Sequence, residues 1–327
     1  MKRTIVTSGV DSEYVLGGLC EHLRSRGHEV IEFDFGKTTS CIESMLKTLS
    51  RQQVAYITSA HVTLSLRVAD RLVPDLRRLY PNYLAPVEIM PILKPAVSVF
   101  VPHDLLTPYG DSNLNEFLYL DLFDHVLATN NADQLQCRLG THTKVHDAGW
   151  IKYYHEIPVD EPLPSAPRVT LFLSMIGHMR ARYGVAGFVD YLKPILTERV
   201  QVKLPGWKGI EEIEREILNQ TAASIVPAST NSIDLIQESD VVICNTISSI
   251  LAESILLGKP SVSLLDNEGY VADVKRTKMK EFPSLVWHPY FERQPFPEGF
   301  LEEIAKAQRP KAIAPFDYGL VETIVLC

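Results

Sequence analysis

Residues Asp240 to Asp266 read DVVICNTISSILAESILLGKPSVSLLD, and the order of residue types in this stretch decides the fold. Val241 to Cys244 are apolar at every position, as a strand covered on both faces must be. Asn245 to Ser249 are mostly small and polar and read as a turn running into a first helical turn. A helical stretch with one acid, Glu253, follows; Gly258 stops it, and Pro260 leads into a second apolar run. A buried strand, a helix and another buried strand make a crossover unit whose strands run parallel.

The same alternation continues in both directions. Upstream in the second half lie apolar runs at Arg168–Ser174, Val200–Pro205 and Ala222–Pro227, separated by a long helical pattern to about Leu196, a charged helix at Ile210–Asn219 and a short helix ending near Glu238. In the first half, strands are predicted at Arg3–Ser8, His28–Phe35, Gln53–Thr58, Ala96–Val101, His125–Thr129 and Lys144–Ala148. The segment from Ser12 to Gly27 carries Leu16, Leu19 and Leu23 at helical spacing, with Gly27 as its stop. Between the halves, His155–Pro167 holds four prolines in thirteen residues, which neither a helix nor a central strand tolerates. The expected organisation is α/β, with two Rossmann-like domains facing across a cleft: residues 1–157, a proline-rich linker at 158–167, and residues 168–327. The chain's 327 residues suit two cores of ordinary size.

Composition narrows the function classes. With 46% hydrophobic and 22% charged residues, the chain is globular rather than disordered. A net charge of −8 gives no general field to attract nucleic acid. The basic run Lys275–Lys280 lacks interleaved aromatics and reads as a solvated helix face. Five scattered cysteines without a CxxC spacing fit a cytoplasmic protein better than a disulfide framework. No apolar stretch is long enough to span a bilayer, so membrane contact is expected to be peripheral at most. The sequence contains no GxGxxG after the first strand, no phosphate-binding GxxxxGK[ST], no HExxH and no GxSxG, so a dinucleotide cofactor, a catalytic metal and a serine-hydrolase elbow are not expected.

In parallel sheets ligands bind outside the carboxyl ends of the strands, which narrows the search to a few loops. After Cys244, Thr246, Ser248 and Ser249 lie where helix N-terminal amides suit a phosphate. Glu253, one turn beyond Ser249, is placed to accept from a ribose diol. A diphosphate beside a diol is the polarity of a nucleotide sugar. The plainer alternative makes Ser248 a helix cap and Glu253 a surface acid.

The run ISSILAESILLGKPSVSLL resembles the donor-site stretch of glycosyltransferases with the GT-B fold and of the related UDP-N-acetylglucosamine 2-epimerases. The resemblance implies that Thr246, Ser248 and Ser249 face the nucleotide phosphates and that Glu253 holds the ribose, with Gly258 and Pro260 at the helix stop and strand entry. Weaker likenesses follow in order. LGGLCEHLRSRGHEVIEF, with Gly27 and His28, is similar to the first helix and second strand of the amino-terminal domain in that superfamily. VSVFVPHDLLTPYG resembles the histidine loop of the epimerases and of CDP-glycerol glycerophosphotransferases, which implies a cleft-facing His103. KVHDAGWIKYY resembles the segment leaving the first domain, with Gly149 at the crossover. In LFLSMIGHMRARYG, residues Ser174, Gly177, His178 and Arg180 occupy the loop that faces the donor phosphates in GT-B proteins. The transferases for cytidine nucleotides carry a His-Pro where this chain has Lys203–Trp207, KLPGW, and its own His288-Pro289 comes later. That departure favours a UDP- or dTDP-sugar.

The expected activity is metal-independent transfer of a sugar from a nucleotide donor to a hydroxyl of a glycan or other acceptor, with no separate cofactor. His103, next to Asp104, is the first candidate for the base because an imidazole titrates near working pH; a structural loop histidine is the alternative. Asp11, after the first strand, is the second candidate, or else caps the following helix. An epimerase acting on a UDP-sugar and a non-catalytic nucleotide-sugar-binding protein are the other readings of the same residues.

Overall fold

The computed structural model of the protein describes residues 2–9, 12–35, 41–59, 82–102, 118–129, 132–151, 164, 166–174, 176–206, 210–245, 249–264, 285–287, 296, 298–301 and 316–327. The chain divides into two compact units, one formed by Met1–Glu156 with Ile313–Cys327 and the other by Ile157–Ala312.

The first unit contains six parallel strands: β1 (Thr4–Gly9), β2 (Glu29–Asp34), β3 (Val54–Thr58), β4 (Val97–Phe100), β5 (His125–Ala128) and β6 (Lys144–Asp147), in the order β2-β1-β3-β4-β5-β6. Successive residues of a strand point to opposite faces, and the core divides accordingly. Ile5, Ala55, Ile57, Val97 and Val99 pack on one side with helix α1 (Ser12–Ser25). Val6, Val54, Tyr56 and Phe100 pack on the other with α2 (Ile42–Leu49) and α3 (Pro86–Leu93). A short helix, α4 (Ala132–Gln136), links β5 and β6. Helix α1 ends where expected. Gly27 takes a left-handed φ of 88°, and the Gly27 and His28 amides donate to Arg24 and Leu23 carbonyls at 2.9 and 3.1 Å, a stop that glycine makes without strain.

The second unit holds β7 (Val169–Phe172), β8 (Val200–Lys203), β9 (Ser224–Val226), β10 (Val241–Cys244), β11 (Ser261–Ser263) and β12 (Leu285–Trp287), all parallel, in the order β12-β11-β10-β7-β8-β9. Its helices are α5 (Ile176–Leu192), α6 (Glu211–Gln220), α7 (Ser232–Glu238) and α8 (Ser249–Leu256). Val169, Leu171, Val200, Val202, Val241, Ile243 and Val262 form the centre of its core with Phe188 and Leu192 of α5. The two parallel sheets flanked by helices bear out the α/β class and the Rossmann-like character of both halves.

Three features depart from the sequence reading. The long helical pattern to Leu196 is broken: Gly184 has φ 67° and ψ 169° inside α5, and Lys193–Ile195 form a separate 3-10 turn. Strand β12 has only three residues, too few to show a period. Most consequentially, the second unit does not run to residue 327. Helix α9 (Tyr318–Leu326) belongs to the first unit, where Phe316, Val321, Ile324 and Val325 are buried against Ile5, Val15, Leu16 and Leu19. Burying each of these apolar side chains contributes about 1.5–3 kcal/mol. Polar contacts fix the helix in place. The Arg3 guanidinium donates to the Val325 carbonyl, Arg26 pairs with Glu322 at 3.1 Å, and the buried His28 ring lies 3.6 Å from the same carboxylate. Of the linker expected at 158–167, only 164, 166 and 167 fall within the described residues, and the basic run at 275–280 lies outside them.

Candidate functional site

In a doubly wound sheet the ligand crevice opens where neighbouring strands send their helices to opposite faces. In the second unit the strand order reverses between β7 and β10, so the loops following Phe172 and Cys244 border that point. They are the loops singled out from the sequence. The ladder between these strands pairs Val241 with Val169 through Cys244 with Phe172, and its last contact is the Asn245 amide donating to the Phe172 carbonyl at 3.3 Å.

Beyond that point a side chain takes over. Asn245 Oδ1 accepts from the Ser174 amide at 2.8 Å, and Asn245 Nδ2 donates to the Ser174 carbonyl at 2.8 Å. Asn245 is 2% exposed, and the orientation of its amide follows from the network, since a main-chain donor must meet oxygen and a carbonyl must meet the NH2 group. The sequence reading placed Asn245 in the turn but gave it no role. The available signal was a bare one: an amide side chain directly after an all-apolar strand.

Of the expected phosphate-facing residues, Thr246 and Ser248 lie outside the described residues, and Ser249 begins α8. Glu253 sits in the second turn of α8 and is 1% exposed. It is therefore not the surface acid that the plainer reading allowed. Its neighbour Ser254 fastens the helix to the next strand, with its hydroxyl 2.8 Å from both the Leu251 carbonyl and the Ser261 hydroxyl. Gly258, at φ 66°, ends the helix in the left-handed conformation that its position as a stop requires.

On the other side of the switch point, Ser174 is half-buried and tied to Asn245, while Gly177 lies in the first turn of α5. Arg180 is exposed and its guanidinium donates to the Glu212 carboxylate at 2.6 Å. In this arrangement it is engaged with an acid of α6; meeting a phosphate would require an exchange of partners.

Lys203, at the carboxyl end of β8, is a second residue the sequence left without a role. It is 8% exposed, and its ammonium donates to the carbonyls of Ala228 at 2.8 Å and Thr230 at 2.7 Å, with Pro227 at 3.5 Å. The turn it fills is closed by the Thr230 amide donating to the Pro227 carbonyl at 3.0 Å. Burial lowers its pKa. Thus the loops after β7, β9 and β10 are each held by a buried polar side chain at the carboxyl edge of one sheet. A cavity of about 420 Å³ lined by Thr197, Glu198, Arg199, Phe296 and Phe300 lies before β8, at the opposite edge, where open α/β sheets do not place their ligands.

In the first unit the strand order reverses between β1 and β3. Asp11 follows β1, and His103 follows β4 after Val101 and Pro102; both lie outside the described residues. Within the strands, the Ser8 hydroxyl is 2.5 Å from the Tyr56 phenol and the Thr58 hydroxyl donates to the Ser8 carbonyl at 3.1 Å. Burial pushes the Tyr56 phenol up, so it stays protonated. Burial also pushes the Cys20 thiol up to about 12, which removes it as a nucleophile. Among the described residues no three His, Cys, Asp or Glu side chains converge as a metal site would require, and no helix is long and apolar enough to cross a membrane.

No protein-family model and no curated protein matches the sequence. Solved structures do match along nearly the whole chain. MnaA from S. aureus, solved with UDP, aligns with a TM-score of 0.57 at 11% identity over 99% of this chain and 95% of that one. The UDP-GlcNAc 2-epimerase from Neisseria meningitidis, bound to UDP-GlcNAc, aligns with a TM-score of 0.50 at 11% identity over 100% of both chains. The spinosyn rhamnosyltransferase SpnG aligns with a TM-score of 0.50 at 13% identity over 99% and 100%. At these identities the likeness concerns architecture: the chain has the GT-B type of fold that these proteins share.

Proposed function

We propose that the protein is a glycosyltransferase that holds a nucleotide-activated sugar, UDP- or dTDP-linked, at the carboxyl edge of its second sheet and transfers the sugar to a hydroxyl acceptor. The observation that carries this reading is the switch point between β7 and β10, where Asn245 joins the two strand ends that lead into the loops singled out from the sequence. The likeness in fold to proteins solved with UDP and UDP-GlcNAc supports it.

In this reading the main-chain N–H groups opening α8, with Thr246, Ser248 and Ser249, receive the diphosphate. Preorganised donors of that kind stabilise the charge that develops as the nucleotide departs, and no resident metal or other cofactor is needed. Glu253, buried in this arrangement, accepts from the ribose hydroxyls once the entering nucleotide uncovers it. The first unit supplies the base that deprotonates the acceptor, His103 in preference to Asp11. Ser174 and Gly177 border the phosphates from the β7 side, and Arg180 joins them by leaving Glu212.

The test is a thermal-shift panel of UDP-, dTDP-, GDP- and CMP-sugars. A ligand present at a hundred times its Kd stabilises the fold by about 2.7 kcal/mol. The UDP or dTDP compounds should do so, Glu253→Ala should abolish the shift, and His103→Ala should keep the shift while losing transfer. No shift from any member of the panel refutes the donor site. Interconversion of a UDP-sugar without acceptor would replace transfer by epimerisation, and binding without turnover across acceptors would leave a nucleotide-sugar-binding protein.

A further inference from the structure

We infer that Asn245 is the positioning residue of the nucleotide site, fixing the spacing of the two loops between which the nucleotide would enter; this rests on the donor-site reading above. At a switch point the chains after β7 and β10 leave toward opposite faces, so the main-chain ladder must end there. The Ser174 amide and carbonyl are the next groups in line, and both pair with the one side chain of Asn245, each at 2.8 Å. The pairing joins positions 71 residues apart. Asn245 is 2% exposed and Ser174 half-buried, so water has limited access to the pairing.

The requirement on the side chain is strict. It must present one acceptor and one donor side by side at the reach of a two-carbon stem, which asparagine does in its ground state. An ionised aspartate presents two acceptors and would face the Ser174 carbonyl with negative charge. A protonated aspartate restores the pattern, because its hydroxyl donates to that carbonyl. From Asn245 the chain runs directly into Thr246, Ser248 and Ser249, and from Ser174 into Gly177. The two sets of groups assigned to the diphosphate therefore start from one fixed origin, which lowers the cost of bringing them together on binding.

The experiment uses Asn245→Asp in the full chain, with UDP as the probe and binding measured by calorimetry between pH 5 and pH 8. Affinities are taken as a ratio to wild type at each pH so that titration of UDP itself cancels. The expected result is binding weakened at least about tenfold at pH 8 and returning toward wild type as the pH falls and the buried carboxyl takes up its proton. In parallel, the protection of the Ser174 amide against hydrogen exchange should drop at pH 8 and recover at low pH. A residue with a merely structural role would not regain UDP affinity in step with that protonation. If wild type binds UDP and the variant binds it equally at pH 8, the positioning role is refuted and the donor site stands. If wild type binds none of the nucleotide panel, the donor-site reading and this inference fall together. If UDP binding weakens without recovery at low pH while the Ser174 amide regains its protection, the loops are not what the nucleotide depends on, and the inference is overturned.

Discussion

The two units share one architecture and spend their buried polar groups at different places. In the second unit side chains act beyond the strand ends: Asn245 joins the loops after β7 and β10, and Lys203 fills the turn after β9. In the first unit the polar groups at the switch point stay within the strands, where Ser8 meets the Tyr56 phenol and Thr58 donates to the Ser8 carbonyl, and other contacts lie away from it. Arg3, Arg26 and His28 reach residues of α9, and His125 pairs with His146 across β5 and β6, Nδ1 to Nε2, at 2.9 Å. Shared strand-helix grammar thus yields one sheet whose switch-point strand ends are joined by a side chain beyond the ladder and another whose polar contacts lie within the strands or reach a returning helix. Under the proposed function, the side-chain bridge beyond the strand ends serves a ligand, and the bridges to the returning helix serve assembly.

The comparison can be broken most forcefully at α9. Replacing Val321 and Ile324 by aspartate places charges in the core of the first unit, at a cost of several kcal/mol even after partial relaxation. The first unit should lose its cooperative thermal transition, while hydrogen-exchange protection in β7, β8 and β10 of the second unit persists. Loss of protection in the second unit with the first intact would reverse the assignment of the helix.

A smaller effect is expected at Lys203. Lys203→Met leaves the Ala228 and Thr230 carbonyls without their donor, a loss of about 1–3 kcal/mol that relief from burying an ammonium partly offsets. Amide exchange in residues 228–230 should accelerate, with little change in the first unit. An unchanged loop would mean that the lysine does not organise it.

A pH series sharpens the contrast further. Burial, the neighbouring histidine and Lys144 lower the His125 pKa against the pull of Asp124, and burial and Lys144 lower that of His146. A base with a lowered folded-state pKa is protonated first in the unfolded chain. Stability of the first unit should therefore fall as pH drops from the ordinary histidine value of 6.5 through the lowered ones. His146→Gln should flatten that dependence; a dependence that stays as steep would assign it to other groups.

The smallest change is expected for Glu322→Gln. Burial pushes the Glu322 carboxyl up, but Arg26 and His28 outweigh it and leave the carboxyl below its ordinary value. The stability this contributes is present above the ordinary carboxylate range and fades as pH falls through the lowered value. The pair is partly exposed and should weaken with salt. Melting curves of variant and wild type should converge at high ionic strength; a gap that persists would show a packing role for the carboxylate.

The class of fold and the parallel direction of the strands were legible in the order of residue types, and so were the strand-end loops proposed for the ligand. Those properties rest on local signals: the all-apolar run Val241–Cys244, the helical spacing of Leu16, Leu19 and Leu23, and the stops at Gly27 and Gly258. Which unit owns α9 emerged with folding alone, because Val321, Ile324 and Val325 declare a need for a core without naming it. Likewise, only the fold revealed Asn245 and Lys203 as organisers, since the amide meets a partner 71 residues away and the ammonium one 25 residues away. Periodicity and stops are written in neighbouring residues; the pairing of a buried polar group is set by which strand ends the sheet order brings side by side, and that order is a property of the folded chain.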